Sequence, residues 1–187
     1  MKLESNRIYI RRLMQDDLSA LLSVRIRNRE FLQPFEPTHL DEHFTLAGQI
    51  ELFERALHNW SNGLAYGFGI FLKDEDKFIG RVNLSNVVRG AWESCSLGYF
   101  LDEAYNGLGL MTEAVRLAVR FAFHEAKLHR VQAAVMPRNL GSIRVLEKAG
   151  FLYDGMSTYY LQINGRWEDH NLYSLTVENW DGDELSR

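Results

Sequence analysis

The chain has 187 residues, 46% of them hydrophobic and 25% charged, the proportions of an ordinary globular protein, which excludes a wholly disordered chain. Its 21 Lys and Arg against 25 Asp and Glu give a net charge of −4, so it has no cationic excess for general nucleic-acid binding. A single cysteine, Cys95, excludes an intrachain disulfide and a cysteine-based metal site.

The length fits one domain over residues 1–187. No apolar run is long enough for a membrane span, and the first residues are unlike a signal peptide, so a cytoplasmic protein is expected. Arg7 to Leu13 alternates around Ile8 and Ile10 and reads as a strand. Asp16 or Asp17 can cap a helix whose apolar stripe is Leu18, Leu21, Leu22 and Ile26. The loop from Phe31 to Pro37 is rich in large apolar groups. His39 and His43 are four residues apart, but Asp41 and Glu42 stand between them in a loop, and no metal site is expected. A second helix starts near Thr45, carries Leu46, Ile50, Phe53, Leu57 and Trp60 on one face, and stops near Asn62-Gly63.

Tyr66 to Leu72 and Lys77 to Asn86 form a hairpin around the polar turn at 74–76. Trp92 to Leu101 is a further strand. A helix from about Leu108 to Ala126 aligns Leu110, Ala114, Ala118 and Ala122, with Met111, Val115 and Val119 beside them. Arg130 to Val135 is a short apolar strand. Asn139 can cap a helix running through Ala149, which Gly150 ends in the left-handed conformation. Met156 to Ile163 and Trp167 to Val177 are strands joined by Asn164-Gly165, a pair that tolerates the positive φ of a tight hairpin. The order β-α-α-β-β-β-α-β-α-β-β predicts an α/β (α+β) fold with a mixed sheet and helices on its faces.

The most informative segment is Tyr105-Asn106-Gly107-Leu108-Gly109-Leu110-Met111-Thr112-Glu113-Ala114. A strand feeds a Gly-x-Gly turn that opens a strongly amphipathic helix. Unpaired N–H groups and the positive dipole end converge there, and glycines let a ligand approach the backbone closely. Such a turn suits a pyrophosphate, although the same glycines would also serve a plain strand-to-helix turn. The Gly-Lys-Ser/Thr of a Walker loop is missing, as is the third glycine of a dinucleotide fingerprint.

This segment resembles the acyl-CoA pyrophosphate loop of the GNAT N-acetyltransferase superfamily, usually Arg/Gln-x-x-Gly-x-Gly/Ala, with Asn106 in the first place and Met111 in the last. The segment Asn139 to Phe151 resembles the same family's Asn-x-x-Ser helix and its closing Gly-Phe. The resemblance covers about residues 7–177. It implies the GNAT acyl-CoA N-acyltransferase fold, with a mostly antiparallel central sheet. Leu32 to Pro37, Ser85 to Gly90, Val135 to Asn139 and Tyr160 to His170 resemble ribosomal-protein-alanine N-acetyltransferases. That branch implies acetyl-CoA as cosubstrate, no metal, and the N-terminal amine of a ribosomal protein as acceptor. Neither nucleic acid nor membrane is an expected partner.

The resemblance also implies site residues. The backbone of Phe100 and Leu101 would hold the pantetheine and the acetyl carbonyl. Asn106, Gly107, Leu108, Gly109, Leu110, Met111 and Thr112 would form the phosphate cradle, the Met111 side chain pointing away. Ser142 would protonate the departing thiolate and contact the cofactor, as would Asn139, although helix capping alone accounts for the Asn-x-x-Ser pair. Tyr105 is a reserve proton donor. Glu36, trapped between Phe35 and Pro37, would have its pKa raised by burial and could act as base or hold the amine. Glu93, on the strand leading to the cofactor, is a second candidate base. Cys95 is expected to be a buried small hydrophobe. Asp169 and His170, adjacent on a strand, face opposite sides and cannot act as a pair. The alternatives are an acetyltransferase of a small amine such as a polyamine or antibiotic, and a non-catalytic acyl-CoA-binding module.

Overall fold

The computed structural model describes residues 1–182. Its strands are β1 (Lys2–Glu4), β2 (Ile8–Arg12), β3 (Tyr66–Leu72), β4 (Lys77–Val88), β5 (Ser94–Leu101), β6 (Arg130–Val135), β7 (Leu152–Ile163) and β8 (Arg166–Thr176). Its helices are α1 (Leu18–Arg27), α2 (Arg29–Leu32), α3 (Leu46–Ser61), α4 (Leu110–His124) and α5 (Leu140–Lys148). The strands form one eight-stranded sheet in the order β1-β2-β3-β4-β5-β6-β8-β7. Every neighbouring pair is antiparallel except β5 and β6.

The predicted α/β elements are all present, with shifted edges. β1 has no signal in the sequence, because three residues of Lys-Leu-Glu carry no alternation to read. β7 begins at Leu152 instead of Met156, since its two bulges break the period-two pattern. α4 starts at Leu110 instead of Leu108, because Gly109 is left-handed at φ 80° and caps the helix from outside it. β5 starts at Ser94, two residues later than expected, because Glu93 has φ 39° in a turn.

Helix α4 supplies the central packing. The predicted stripe of Leu110, Ala114, Ala118 and Ala122, with Met111, Val115 and Val119, is entirely buried against β2, β4 and β6. Leu117 and Phe121 widen that face. Each fully buried large aliphatic side chain contributes about 1.5–3 kcal/mol, while the alanines let helix and sheet approach closely. On the other face of the sheet, Leu18, Leu21 and Val24 of α1 pack with Tyr9, Leu13, Phe71 and Phe78, and Ile50 and Phe53 of α3 cover them.

One departure from a continuous sheet positions the site. β5 and β6 pair only where Ser94–Ser96 meets Arg130–Gln132. Beyond that, β5 follows β4 as far as Leu101 and β6 follows β8 as far as Val135, so the two strands part.

Candidate active site

The parting strands open a cleft of about 840 Å³. One wall is β5 from Leu97 to Leu101, and the other is β6 from Ala133 to Val135 with Met136 just beyond it. The Gly107–Thr112 turn lies at one end, α5 lines a side, and Phe35, Glu36, Arg138 and His170 lie around the remainder.

At the helix end, Gly107 and Gly109 both have positive φ, 77° and 80°. A side chain on Gly107 would meet nothing within 4 Å, and one on Gly109 would meet only the Arg7 guanidinium at 3.4 Å. The first helical bond of α4 is from Glu113 N–H to the Gly109 carbonyl, 3.3 Å. The N–H groups of Leu110, Met111 and Thr112 therefore have no acceptor within the helix. Leu110, Met111 and Thr112 bury their side chains, and Met111 sits in the main core. The Met111 side chain thus leaves the mouth clear, as the expected cradle requires. Leu108 is exposed, and Asn106 is exposed with its N–H closing a turn to the Glu103 carbonyl. Glu113 would oppose an anion at this mouth, but it is bound by Arg7 Nε at 2.7 Å and by the Ser5 hydroxyl at 2.6 Å. Sequence reasoning misses Arg7; nothing in residues 5–8 marks a side chain destined for a helix about 100 residues away.

Along β5, backbone direction alternates. The Asp102 N–H donates to the Ile79 carbonyl at 2.8 Å, and the Phe100 carbonyl lies against Gly80, where a side chain would come within 2.4 Å of it. The polar backbone of Phe100 therefore turns toward β4, and that of Tyr99 and Leu101 turns into the gap. This corrects the expectation for Phe100, which lines the cleft with its ring, 4.8 Å from the Arg25 guanidinium, instead of its amide. Leu101 keeps its expected backbone position.

Across the cleft, Asn139 caps α5, its Oδ1 accepting the Ser142 N–H at 3.1 Å. The Asn139 side chain is thus engaged as a cap. The Ser142 hydroxyl lies 2.8 Å from the Tyr99 hydroxyl. Burial pushes the Tyr99 phenol up to about 12, partly countered by its bond to Ser142, so it stays protonated and able to donate. Sequence reasoning misses Tyr99 as a partner of Ser142 because the two lie on different elements, 43 residues apart. Tyr105 lines the cleft as well, and the Lys77 ammonium, whose pKa it raises, lies 5.3 Å from the centre of its ring.

Glu36 also lines the cleft, and its environment corrects the expected pKa. Burial would raise it, but the Arg25 guanidinium binds both carboxylate oxygens, at 2.6 and 2.7 Å, and Arg25, His39 and His43 add their charge, so the pKa is lowered. An ionised Glu36 is a poor proton acceptor and a good partner for a cation. Arg25 is buried in α1, where the sequence shows only an interruption of an apolar stripe. Glu93 lies outside the cleft: it takes the Gly90 N–H at 2.9 Å and pairs with Arg89 at 3.0 Å, holding the turn before β5. It is not placed to act on an amine. His39 and His43 stack at 4.0 Å, and among the described residues no group of three or more acidic, His or Cys side chains could hold a metal. Cys95 is buried and its thiol is pushed up to about 12, which suits a packing role. Asp169 turns away from His170 and accepts the Tyr159 N–H at 2.9 Å.

The end of the cleft near Glu36 and His170 is tied together by polar bonds. Arg138 pairs with Glu168 at 2.8 Å and donates to the Pro34 carbonyl at 3.1 Å, while the Asn164 N–H at the β7–β8 turn donates to the Glu36 carbonyl at 2.9 Å. The loop before Pro37 and the β7–β8 hairpin therefore form one wall.

Comparison with known proteins agrees with this geometry. The model of the acetyltransferase (GNAT) domain matches residues 7–152. The chain is 45% identical to the probable N-acetyltransferase YjcK of Bacillus subtilis (strain 168), covering 92% of this chain and 96% of that one. It is 36% identical to the [ribosomal protein uS5]-alanine N-acetyltransferase of Escherichia coli (strain K12), covering 96% and 93%. The solved structure of Mycobacterium smegmatis RimJ in complex with CoA-disulfide superposes with a TM-score of 0.87 at 29% identity, covering 91% of this chain and 82% of that one. With the parted strands, the glycine mouth and these relatives together, the chain belongs to the GNAT acetyltransferase family.

Proposed function

We propose that this enzyme transfers the acetyl group of acetyl-CoA to the N-terminal α-amine of a protein, with a ribosomal protein beginning in alanine as the leading acceptor. The observation that carries the reading is the cleft between β5 and β6, open to α4's unpaired N–H groups at one end and to Glu36 at the other. The uS5-alanine relative, matched over nearly its full length, supports the acceptor class. A cytoplasmic setting fits such an acceptor.

Each group has a physical role. The N–H groups of Leu110, Met111 and Thr112, with the Gly107 and Gly109 backbone, would hold the diphosphate, and Arg7 beside Gly109 cancels the charge of Glu113 there. The gap-facing backbone of Tyr99 and Leu101 would position the thioester, and an N–H aimed at its carbonyl would stabilise the developing oxyanion by about 3–4 kcal/mol. Ser142, polarised by the protonated Tyr99 hydroxyl, would give a proton to the departing sulfur. Glu36, held ionised by Arg25, would attract the cationic amine into the cleft.

The test is incubation with acetyl-CoA and peptides beginning in Ala, Ser or Met, alongside a panel of polyamines and aminoglycosides, followed by mass spectrometry. Acetylation at the α-amine of the Ala peptides is expected. Transfer only to small amines would reject the acceptor assignment.

A further inference from the structure

We propose that His170 is the general base of this enzyme, taking the proton from the acceptor amine on its Nε2. This rests on acetyl transfer to an amine, not on which amine accepts.

Its orientation follows from hydrogen bonding. His170 Nδ1 lies 2.9 Å from the backbone carbonyl of Glu168. A carbonyl only accepts, so Nδ1 carries the hydrogen and the neutral ring leaves Nε2 with its lone pair. Among the described residues Nε2 has no hydrogen-bond partner, yet it is not one of the fully enclosed unpartnered atoms. The residue is 3% exposed and is among those that line the cleft. The ring is further held by Tyr160, 5.8 Å between centroids.

Its position suits the acceptor side. On β8, Asn171 pairs with Val135, so His170 is next to the end of β6, where the wall of the cleft continues into Met136. The two carboxylates that the sequence offers as bases are unsuited to proton abstraction, since Glu36 is held ionised by Arg25 and Glu93 lies at the other end of β5. The charged and titratable groups around this end include Glu36 with Arg25 and His39, His43 stacked on His39, Glu168 with Arg138, and Tyr160 on β7. The two carboxylates here are each paired with an arginine, which leaves the His170 imidazole as the unpaired base.

The proton count closes. An N-terminal amine titrates near pH ~8 and enters largely as ammonium at neutral pH. Between ammonium and amide the nitrogen loses two protons, forming the N–C bond as the C–S bond breaks. His170 Nε2 takes each in turn and passes it to solvent. Ser142 gives one proton to sulfur and recovers one from solvent, so one proton is released per turnover.

The decisive variant is His170→Asn, whose amide nitrogen occupies the place of Nδ1 and keeps the bond to the Glu168 carbonyl while removing Nε2. At pH 7 its kcat/KM, measured on the best acceptor from the amine panel, should fall about 10²- to 10⁴-fold with the Kd for coenzyme A unchanged. The deficit should shrink above the acceptor amine's own pKa, near ~8 for an N-terminal amine, where it deprotonates unaided. A loss under about threefold, or one equal at every pH, overturns the assignment, because general-base loss is tied to the protonated amine. A readout independent of turnover is two-bond ¹⁵N correlation NMR of histidine-labelled protein, with His170 assigned by its absence in the variant. The neutral ring should be the Nδ1–H tautomer; an Nε2–H tautomer overturns the proposal even if acetylation proceeds. Failure of the Ala peptides alongside a pH-dependent deficit on another amine would reject the acceptor and leave His170 standing.

Discussion

Replacing Gly109 with aspartate separates the phosphate mouth from the fold around it. Gly109 sits at φ 80°, so an alanine there costs about 1–2 kcal/mol in folding stability. Alanine should therefore lower Tm by about 2–8 °C, given about 2–4 °C per kcal/mol for a chain of this size. The alanine Cβ would lie 3.4 Å from the Arg7 guanidinium, a tight contact with the far end of a flexible side chain. Aspartate, which tolerates the left-handed region better than alanine, carries no larger backbone cost and adds a negative charge at the mouth. At about 4 Å from a phosphate, one such charge pair costs about 1–4 kcal/mol, between an exposed and a partly buried setting. Relative to Gly109→Ala, coenzyme A should bind about fivefold to a thousandfold more weakly to Gly109→Asp. Isothermal calorimetry reads the affinity and thermal denaturation reads the fold. Equal affinity in the two variants, both folded, would show that no phosphate lies at this mouth and would refute the cradle.

Ser142→Ala and Tyr99→Phe should each lower kcat about 10²-fold while leaving the Kd for coenzyme A nearly unchanged; a loss confined to affinity would make Ser142 a binding residue. Glu36→Gln leaves Arg25 as an uncompensated buried charge and should destabilise the fold by about 3–5 kcal/mol in urea unfolding at pH 7. Because Glu36 has a lowered pKa, its contribution is present above its unfolded pKa and is lost as pH falls through the folded one. The Gln variant should therefore lose less stability on acidification than the parent. His43 is pushed down to about 4 by burial and by neighbouring charge, so the folded state resists its protonation; stability should fall from pH 6.5 toward 4, and His43→Gln should flatten that decline in unfolding curves.

The amino-acid order carries the parts of this protein that depend on neighbours along the chain. The α4 stripe, the Asn139 cap, the Gly150 stop and the Asn164-Gly165 turn are all legible because three-to-four-residue periods and positive-φ residues act locally. The glycine turn that opens α4 is legible for the same reason: strand, glycines and helix are contiguous. Contacts between distant segments are not. Arg25 reaches Glu36 and reverses the effect of burial on its pKa, a result set by a guanidinium on another element. The direction of the Phe100 backbone depends on its register with β4, and Tyr99 meets Ser142 only because α5 packs beside β5. His170 gains its free nitrogen from one backbone carbonyl and its access from the gap between two strands. Sequence settles which groups are present and how each short segment bends. Charge state and access depend on distances across the fold, which exist only once β5 and β6 have parted.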